Sequence, residues 1–433
     1  LNTSSFLDSL RAGDSVSFSL LQALPYAIDF PGRLRLMRGE MDREREAIQG
    51  TGYDGGLWGG GGWRSKGIAI RVRRGNVLGD SLRQLLPLPP SIWRDRILIR
   101  YVNDFGEEEK GIDSGGLFKD YLVALSEQIF SAAAGLFCTT DDMCIYPNPQ
   151  YKGGEVGSNA EDIFMFIGRV VGKAIFENIS LPLSFAYFLL SFLTPKYHYT
   201  HLINELRSLD KELHKNLMFL KYYEGDVGDL GLTFSVTEEG LFGRPSRDLD
   251  LIPGGRSVEV TAQNKHRYIN LVAKYYLHDR IRIQGGAFFK GVYEVVGGRG
   301  YFGWFSPPEL QVLISGVQKE VDIEELKQYT RYAGYLPLDG QISRFWSVVS
   351  TFTAQEKSLL LQFVTACPRP PPLGFSALHP PFTVQKAEGG DEGRLPTSST
   401  CFNILKLPAY SSQKIMREKI LQAITSKAGF DLS

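Results

Sequence analysis

The sequence is short of several features that usually decide a first assignment. Cysteine occurs only four times in 433 residues, at positions 138, 144, 367 and 401. That excludes a disulfide-stapled scaffold and fits a reducing, cytoplasmic compartment. A charge surplus is also missing, since 48 Lys and Arg balance 48 Asp and Glu. Neutralising phosphates or holding an anionic lipid surface takes a basic excess on some face, so no nucleic acid and no membrane is expected as a partner. The longest apolar run, Ile179 to Leu193, has 15 residues and contains Pro182 and three serines; crossing a bilayer takes roughly 20. No basic segment precedes an apolar core at the N-terminus, hence no signal peptide is read, and a chain that opens with Leu1 reads as a piece of something longer. Six histidines keep no metal-ligand spacing with the cysteines, and Cys138 and Cys144 have no second pair. No metal and no cofactor is expected.

What is present is ample core-forming material: 43% of the residues are hydrophobic and 22% charged. The length suggests two or three domains. Helical spacing marks Arg33–Glu46, then eight of the thirteen residues from Gly50 to Gly62 are glycine, a stretch that costs much entropy to order. Ile97–Val102 reads as a strand, positions 117, 118, 121, 122, 125 and 129 trace one helix face, and Ile163 to Ile175 another. A charged helical stretch at 201–221, a strand at Gly231–Val236 and an amphipathic helix from Asn264 to Ile283 follow. Ser306-Pro307-Pro308-Glu309 is a helix start. The pattern loosens near Arg331–Tyr335, and a last helix from Ser412 to Lys427 stops at Gly429.

Three glycine motifs imitate nucleotide sites and fail on context. Gly50–Gly55 has a charged helix before it and more glycine after it. Gly298–Gly303 follows Val292–Val296, which could be a strand, but leads into Pro307-Pro308 with no helix N-terminus for a pyrophosphate. Gly168–Ala174 is one residue short of a P-loop and lacks the hydroxyl for magnesium, so it reads as core helix.

Cys401 stands apart from the other thiols. Thr397, Ser398, Ser399 and Thr400 crowd its N-terminal side, and an alternating stretch runs from Phe402 to Leu407. Two readings fit, a buried structural cysteine and an exposed thiol at a loop-to-strand junction. A free thiol is only partly ionised at neutral pH, yet its thiolate is very nucleophilic. Peptide hydrolysis needs a histidine to make the thiolate and protonate the amine, and His379 is the one within sixty residues. Acyl exchange between two sulfurs of similar leaving ability asks for less.

The run Leu395–Pro408 resembles the active-site signature of HECT-type ubiquitin ligases, with Cys401 on its catalytic cysteine. Gly111–Gly116 with Leu117-Phe118, Tyr146–Pro149, Phe166–Ala174, Val260-Thr261 with Asn264-Lys265, Leu310–Gly316 and Phe363–Pro372 resemble the family in the same order, from about Ile68 to Ser433. The ending Gly429–Ser433 is similar to a branch distinct from the one that carries WW domains. The resemblance implies an α+β, bilobal HECT domain. An extension at 1–67 would precede a mainly helical N-lobe at 68–330 with a conjugating-enzyme-docking subdomain near 179–256. A flexible hinge at 331–336 (Tyr332, Ala333, Gly334) would lead to a smaller α/β C-lobe at 337–433.

It also implies partners and roles. Ubiquitin would pass from a ubiquitin-conjugating enzyme to Cys401 as a thioester and then to lysines of protein substrates. Thr400 and Asn403 are expected to shape the loop, and Phe430 to aid transfer. Phe185, Phe188, Leu189, Phe192 and Leu193 offer apolar surface, two or three of them facing outward. Leu189, Leu193 and Phe242 are the candidates to dock the conjugating enzyme. Many relatives carry a histidine where Ser399 stands, which leaves imidazole help in forming the thiolate unsupported here. The alternatives are a cysteine hydrolase using Cys401 with His379, and a protein-binding module with an inert thiol.

Overall fold

The computed structural model describes residues 6, 9–10, 14–50, 67–103, 106–108, 116–153, 159–194, 202–238, 246–297, 300–387, 389 and 392–426, with backbone alone for Gly116, Leu202 and Cys401. The chain is α+β. It opens with helices α1 (Ser15–Ala23) and α2 (Phe30–Gln49), strand β1 (Gly67–Arg73), helix α3 (Val77–Leu85) and strand β2 (Arg96–Val102). β1 and β2 pair in parallel, Gly67 opposite Arg96, with α3 as the crossover. Helix α4 (Gly116–Ile129), the hairpin β3 (Phe137–Thr139) and β4 (Ile145–Pro147), α5 (Ala160–Phe176) and the single turn α6 (Tyr187–Leu190) follow. Then come α7 (Leu202–Leu209), α8 (Lys211–Tyr222), the hairpin β5 (Ser235–Glu238) and β6 (Arg247–Asp250), α9 (Lys265–Leu277), α10 (Arg282–Val296) and α11 (Pro307–Ser315). The last part holds α12 (Ile323–Tyr329), β7 (Arg331–Ala333), α13 (Gly340–Ser350), α14 (Ala354–Thr365), β8 (Thr383–Lys386), β9 (Thr397–Ser399), β10 (Ile404–Leu407) and α15 (Gln413–Thr425). Its strands form one sheet in the order β7-β8-β10-β9.

Buried apolar side chains fall into two clusters. The larger draws on elements up to Ile314, and the smaller begins at Val321 and ends at Ile424. Helix α2 packs into the larger cluster through Leu34, Met37 and Met41. Polar contacts fasten it as well. The Arg33 guanidinium meets the Glu309 carboxylate at 2.6 Å, and Glu309 closes the capping box with Ser306 at the start of α11. Arg45 donates to the Phe176 carbonyl at 2.9 Å, and Gln49 to Glu177 at 2.9 Å.

The centre of the larger cluster is the pair α5 and α10. Glycines let their backbones approach: a Cβ on Gly168 would sit 1.8 Å from the Phe288 carbonyl oxygen, and one on Gly291 2.0 Å from that of Met165. The glycines that imitate a P-loop therefore serve helix packing. α5 is buried on nearly every side, including Arg169, whose guanidinium reaches Glu294 at 2.7 Å, and Lys173, which reaches Glu177 at 2.6 Å. Buried charges need such partners.

Several expectations are corrected. The 201–221 stretch is two helices, because Asp210 turns its carboxylate to the Leu213 amide and starts a new one. The helix expected from Asn264 to Ile283 ends at Leu277, and Ile283 lies on α10 with 56% of its surface exposed. Val292–Val296 is helix, and the strand expected at Gly231–Val236 begins at Ser235. α15 stops at Thr425 with Ser426 extended, ahead of Gly429. From the Gly50–Gly62 stretch only Gly50 is described.

The residues expected as a hinge have defined local structure. Tyr332 and Ala333 are strand, paired with Val384 and Gln385, and Trp346 donates to the Tyr332 hydroxyl at 2.9 Å. Gly334 alone turns, at φ +73°. A strand abolishes helical periodicity just as a linker does, so the loosened pattern had two explanations. The larger cluster ends at Ile314 and the smaller begins at Val321, a few residues before this strand.

If α5–α10 contact depends on absent side chains, Gly168→Ala should lower stability by about 1–3 kcal/mol through overpacking. Gly286, exposed on the same α10 with open space beside it, is the control: Gly286→Ala should be neutral or stabilising by up to about 1 kcal/mol. Equal melting temperatures for the two variants would refute the packing argument.

Candidate active site

Cys401 is the middle residue of the 3-10 turn Thr400–Phe402, which joins β9 to β10. The two strands pair antiparallel with Ser399 opposite Ile404, so residues 400–403 are the connection of a hairpin. β10 is held on its other edge by parallel pairing with β8, and Leu405 and Leu407 are fully buried. The alternation after Phe402 is thus that of an interior strand, and it pins the C-terminal end of the turn.

Asn403 closes the turn at φ 54° and ψ 41°. Asparagine tolerates this left-handed region better than most residues. Its backbone N–H donates to the Thr400 carbonyl at 3.3 Å, while its own carbonyl accepts from the Thr383 amide at 2.9 Å. The side chain is fully buried and satisfied: Nδ2 donates to the Pro380 carbonyl at 2.5 Å, and Oδ1 accepts from Lys119 Nζ at 2.7 Å. Lys119 Nζ also donates to the Thr400 carbonyl at 3.1 Å. Thr400, 4% exposed, donates its hydroxyl to Asp120 Oδ1 at 2.5 Å. Lys119 and Asp120 are consecutive on α4, in the larger cluster's half of the molecule. The turn belongs to the smaller half.

Other contacts cross the same seam. Arg369 donates to the hydroxyls of Ser315 at 2.7 Å and Ser184 at 2.8 Å. A cavity of about 80 Å³ lies here, bordered by Arg38, Lys119, Glu177, Arg369 and His379.

Burial pushes the thiols of Cys138, Cys144 and Cys367 up from their ordinary values, which lowers the thiolate fraction at neutral pH. Among the described residues, no three His, Cys, Asp or Glu side chains gather as metal ligands, and no helix is long and apolar enough to cross a membrane.

The docking candidates are corrected by burial. Leu189 and Leu193 are 0% and 1% exposed, and Phe185 and Phe188 are buried with them. Phe185 packs edge-on against Phe130, and Phe188 against Tyr146. Phe192 stacks on His278 with centroids 4.6 Å apart. This apolar run is core because α6 is one turn long and wedged between larger elements. Phe242 and Phe430 lie outside the described residues. Among the described residues Tyr26, Tyr187 and Tyr329 are exposed aromatics, and so are Phe219 at 59% and Tyr222 at 67%, the last two both on α8. Those two fall off the buried face of Leu217 and Leu220, an off-phase signal visible in the sequence. Lys119 and Asp120 escaped the sequence reading, though a charged pair interrupting the apolar face at 117, 118, 121 and 122 was legible.

The site's stability is testable at Asn403. Asn403→Ala and Asn403→Gly both remove the amide, and each should cost about 1–3 kcal/mol for the partners left behind. Alanine should cost about 1–2 kcal/mol more, because only glycine keeps the left-handed turn free of strain. Urea melts ranking alanine equal to wild type would contradict this assignment.

Comparison with known proteins places the site in a family. The pattern of the HECT-domain (ubiquitin-transferase) family matches residues 123–433. The chain is 36% identical to E3 ubiquitin-protein ligase UPL6 of Arabidopsis thaliana over 430 residues, covering 98% of this chain and 40% of that protein. It is 37% identical to Ubiquitin-protein ligase E3B of Homo sapiens over 442 residues, 96% of this chain and 40% of the relative. For E3 ubiquitin-protein ligase HUL5 of Saccharomyces cerevisiae the identity is 34% over 425 residues, 96% of this chain and 45% of the relative. The chain thus spans less than half the length of these curated relatives. On this similarity and the extent of the match, the chain belongs to the HECT-domain family of ubiquitin transferases.

Proposed function

We propose that this chain is the catalytic part of a ubiquitin ligase that carries ubiquitin as a thioester on Cys401. The observation that supports it most is the coincidence of the family match with the place of Cys401 in the hairpin turn that follows the hydroxyl-rich strand Thr397–Ser399. In the first step the Cys401 thiolate attacks the thioester carbonyl joining ubiquitin's C-terminus to a conjugating enzyme. The new C–S bond forms, the old one breaks, and the conjugating enzyme's thiolate leaves and takes up a proton. In the second step a substrate lysine amine attacks the Cys401 thioester. An isopeptide C–N bond forms, the Cys401 thiolate departs, and the amine's proton passes to it or to water. Two sulfurs of similar basicity exchange the acyl group in the first step, so no strong acid is required. The second runs downhill from thioester to amide.

In this reading the larger cluster is the core of an N-lobe and the smaller that of a C-lobe, and the two move relative to each other during turnover. The docking subdomain near 179–256 receives the conjugating enzyme. Phe219 and Tyr222 take the contact role expected of Leu189 and Leu193, since exposed aromatics supply much of the binding energy at interfaces. Phe430 keeps its proposed role in transfer to lysine. The scarcity of cysteine agrees with work in the reducing cytoplasm.

Two measurements test this. Mixed with activating enzyme, conjugating enzyme and ubiquitin, the chain should form a thiol-sensitive ubiquitin adduct on non-reducing gels. The adduct should become thiol-resistant in Cys401→Ser and vanish in Cys401→Ala; its persistence in Cys401→Ala would end the proposal. Phe219→Ala combined with Tyr222→Ala should slow adduct formation about tenfold or more at limiting conjugating enzyme, each anchor being worth roughly 1–3 kcal/mol. An unchanged rate would move the docking surface elsewhere.

A further inference from the structure

The contact between α4 and the cysteine turn has a consequence for the order of events. Lys119 grips both ends of the turn, the Thr400 carbonyl at 3.1 Å and the Asn403 side chain at 2.7 Å. Asp120 grips the Thr400 hydroxyl at 2.5 Å. Thr400 immediately precedes Cys401, so these bonds orient the backbone that carries the sulfur. Hydrogen bonds to charged groups are the stronger ones, and in a buried seam each left unmade is costly. α4 packs on α3, β2 and α5, whereas α7 and α8 pack on each other and on α9. The face that holds the turn and the face with Phe219 and Tyr222 belong to different parts of the larger half.

We infer that Lys119 and Asp120 are positioning residues that latch the Cys401 turn to α4, and that this latch serves discharge of the thioester to lysine and must open for loading. The inference rests on the ligase reading above. A turn held on α4 is withdrawn from a donor docked on α8, so loading requires the latch to be released. Once ubiquitin is on the sulfur, the closed latch fixes the thioester while an amine attacks, and an oriented acyl group reacts faster than a wandering one. During discharge the acyl C–S bond breaks and the amide C–N bond forms. Lys119 and Asp120 exchange no proton in either step.

Single-turnover measurements on the full chain separate the half-reactions. Loading is followed from a ubiquitin-charged conjugating enzyme, and discharge of pre-loaded protein is followed with free lysine. Lys119→Met and Asp120→Ala should load at the wild-type rate or faster and discharge about tenfold slower, the loss expected for a charge-assisted hydrogen bond. Thr400→Val should behave like Asp120→Ala, and Thr400→Ser, which restores the hydroxyl, should discharge faster than Thr400→Val. Equal slowing of loading and discharge would mean general structural damage and overturn the latch, as would unchanged discharge. Amide hydrogen exchange over 397–407 gives a readout independent of ubiquitin. Lys119→Met should raise it several-fold, and unchanged exchange would sink the latch even where activity falls. If wild type forms no adduct, the ligase reading fails by itself, and the exchange measurement still decides whether α4 holds the turn.

Discussion

A buried asparagine at the junction of two cores sets the position of everything around it. Asn403 lies in a left-handed turn with no solvent access, so each of its polar atoms must be answered from within the protein. One answer comes from the Pro380 carbonyl, in its own half of the molecule. The other comes from Lys119, on a helix of the opposite half. The cysteine turn is therefore not a property of its hairpin alone. Strands of three and four residues are too short to fix a connection rigidly, and rigidity is borrowed from α4 across the seam.

That loan requires α4 to be held in place. It packs on α5, which is locked to α10 by glycines that bring the two backbones into contact. Helix α2 braces the same core from outside through Leu34, Met37 and Met41, and its Arg33 secures the capping box at the start of α11. α11 is the last element before the chain crosses to the smaller cluster, and Arg369 returns to bind Ser315 at its end. A single framework thus supports both the surface that receives the turn and the segment that leads into the smaller cluster.

Much of this was legible in the residues. The α+β class, the helix starts at Ser306 and Ser412 and the strand at Ile97 followed from local chemistry. The family followed from motifs spread along the chain. Burial was harder to read. An apolar run around Leu189 is consistent with either an interface or a core. The side chains beside it decide which, and they come from Phe130, Tyr146, Phe288 and His278, distant in sequence. The loosened pattern near Tyr332 was equally ambiguous, because strand and linker both interrupt helical spacing. Only pairing with β8 distinguishes them.

The sequence by itself marked a junction into the alternating stretch that follows Cys401, and it holds too few cysteines for a disulfide framework around that residue. The first follows from neighbouring residue types, since hydroxyls, asparagine and alternating leucines act over a few positions. Tertiary structure alone decided that Lys119 and Asp120 hold that turn, some 280 residues away along the chain. It also decided that the P-loop-like glycines serve helix contact. Hydrogen bonds and close backbone approaches depend on which distant segments the two cores bring together. No local pattern encodes that.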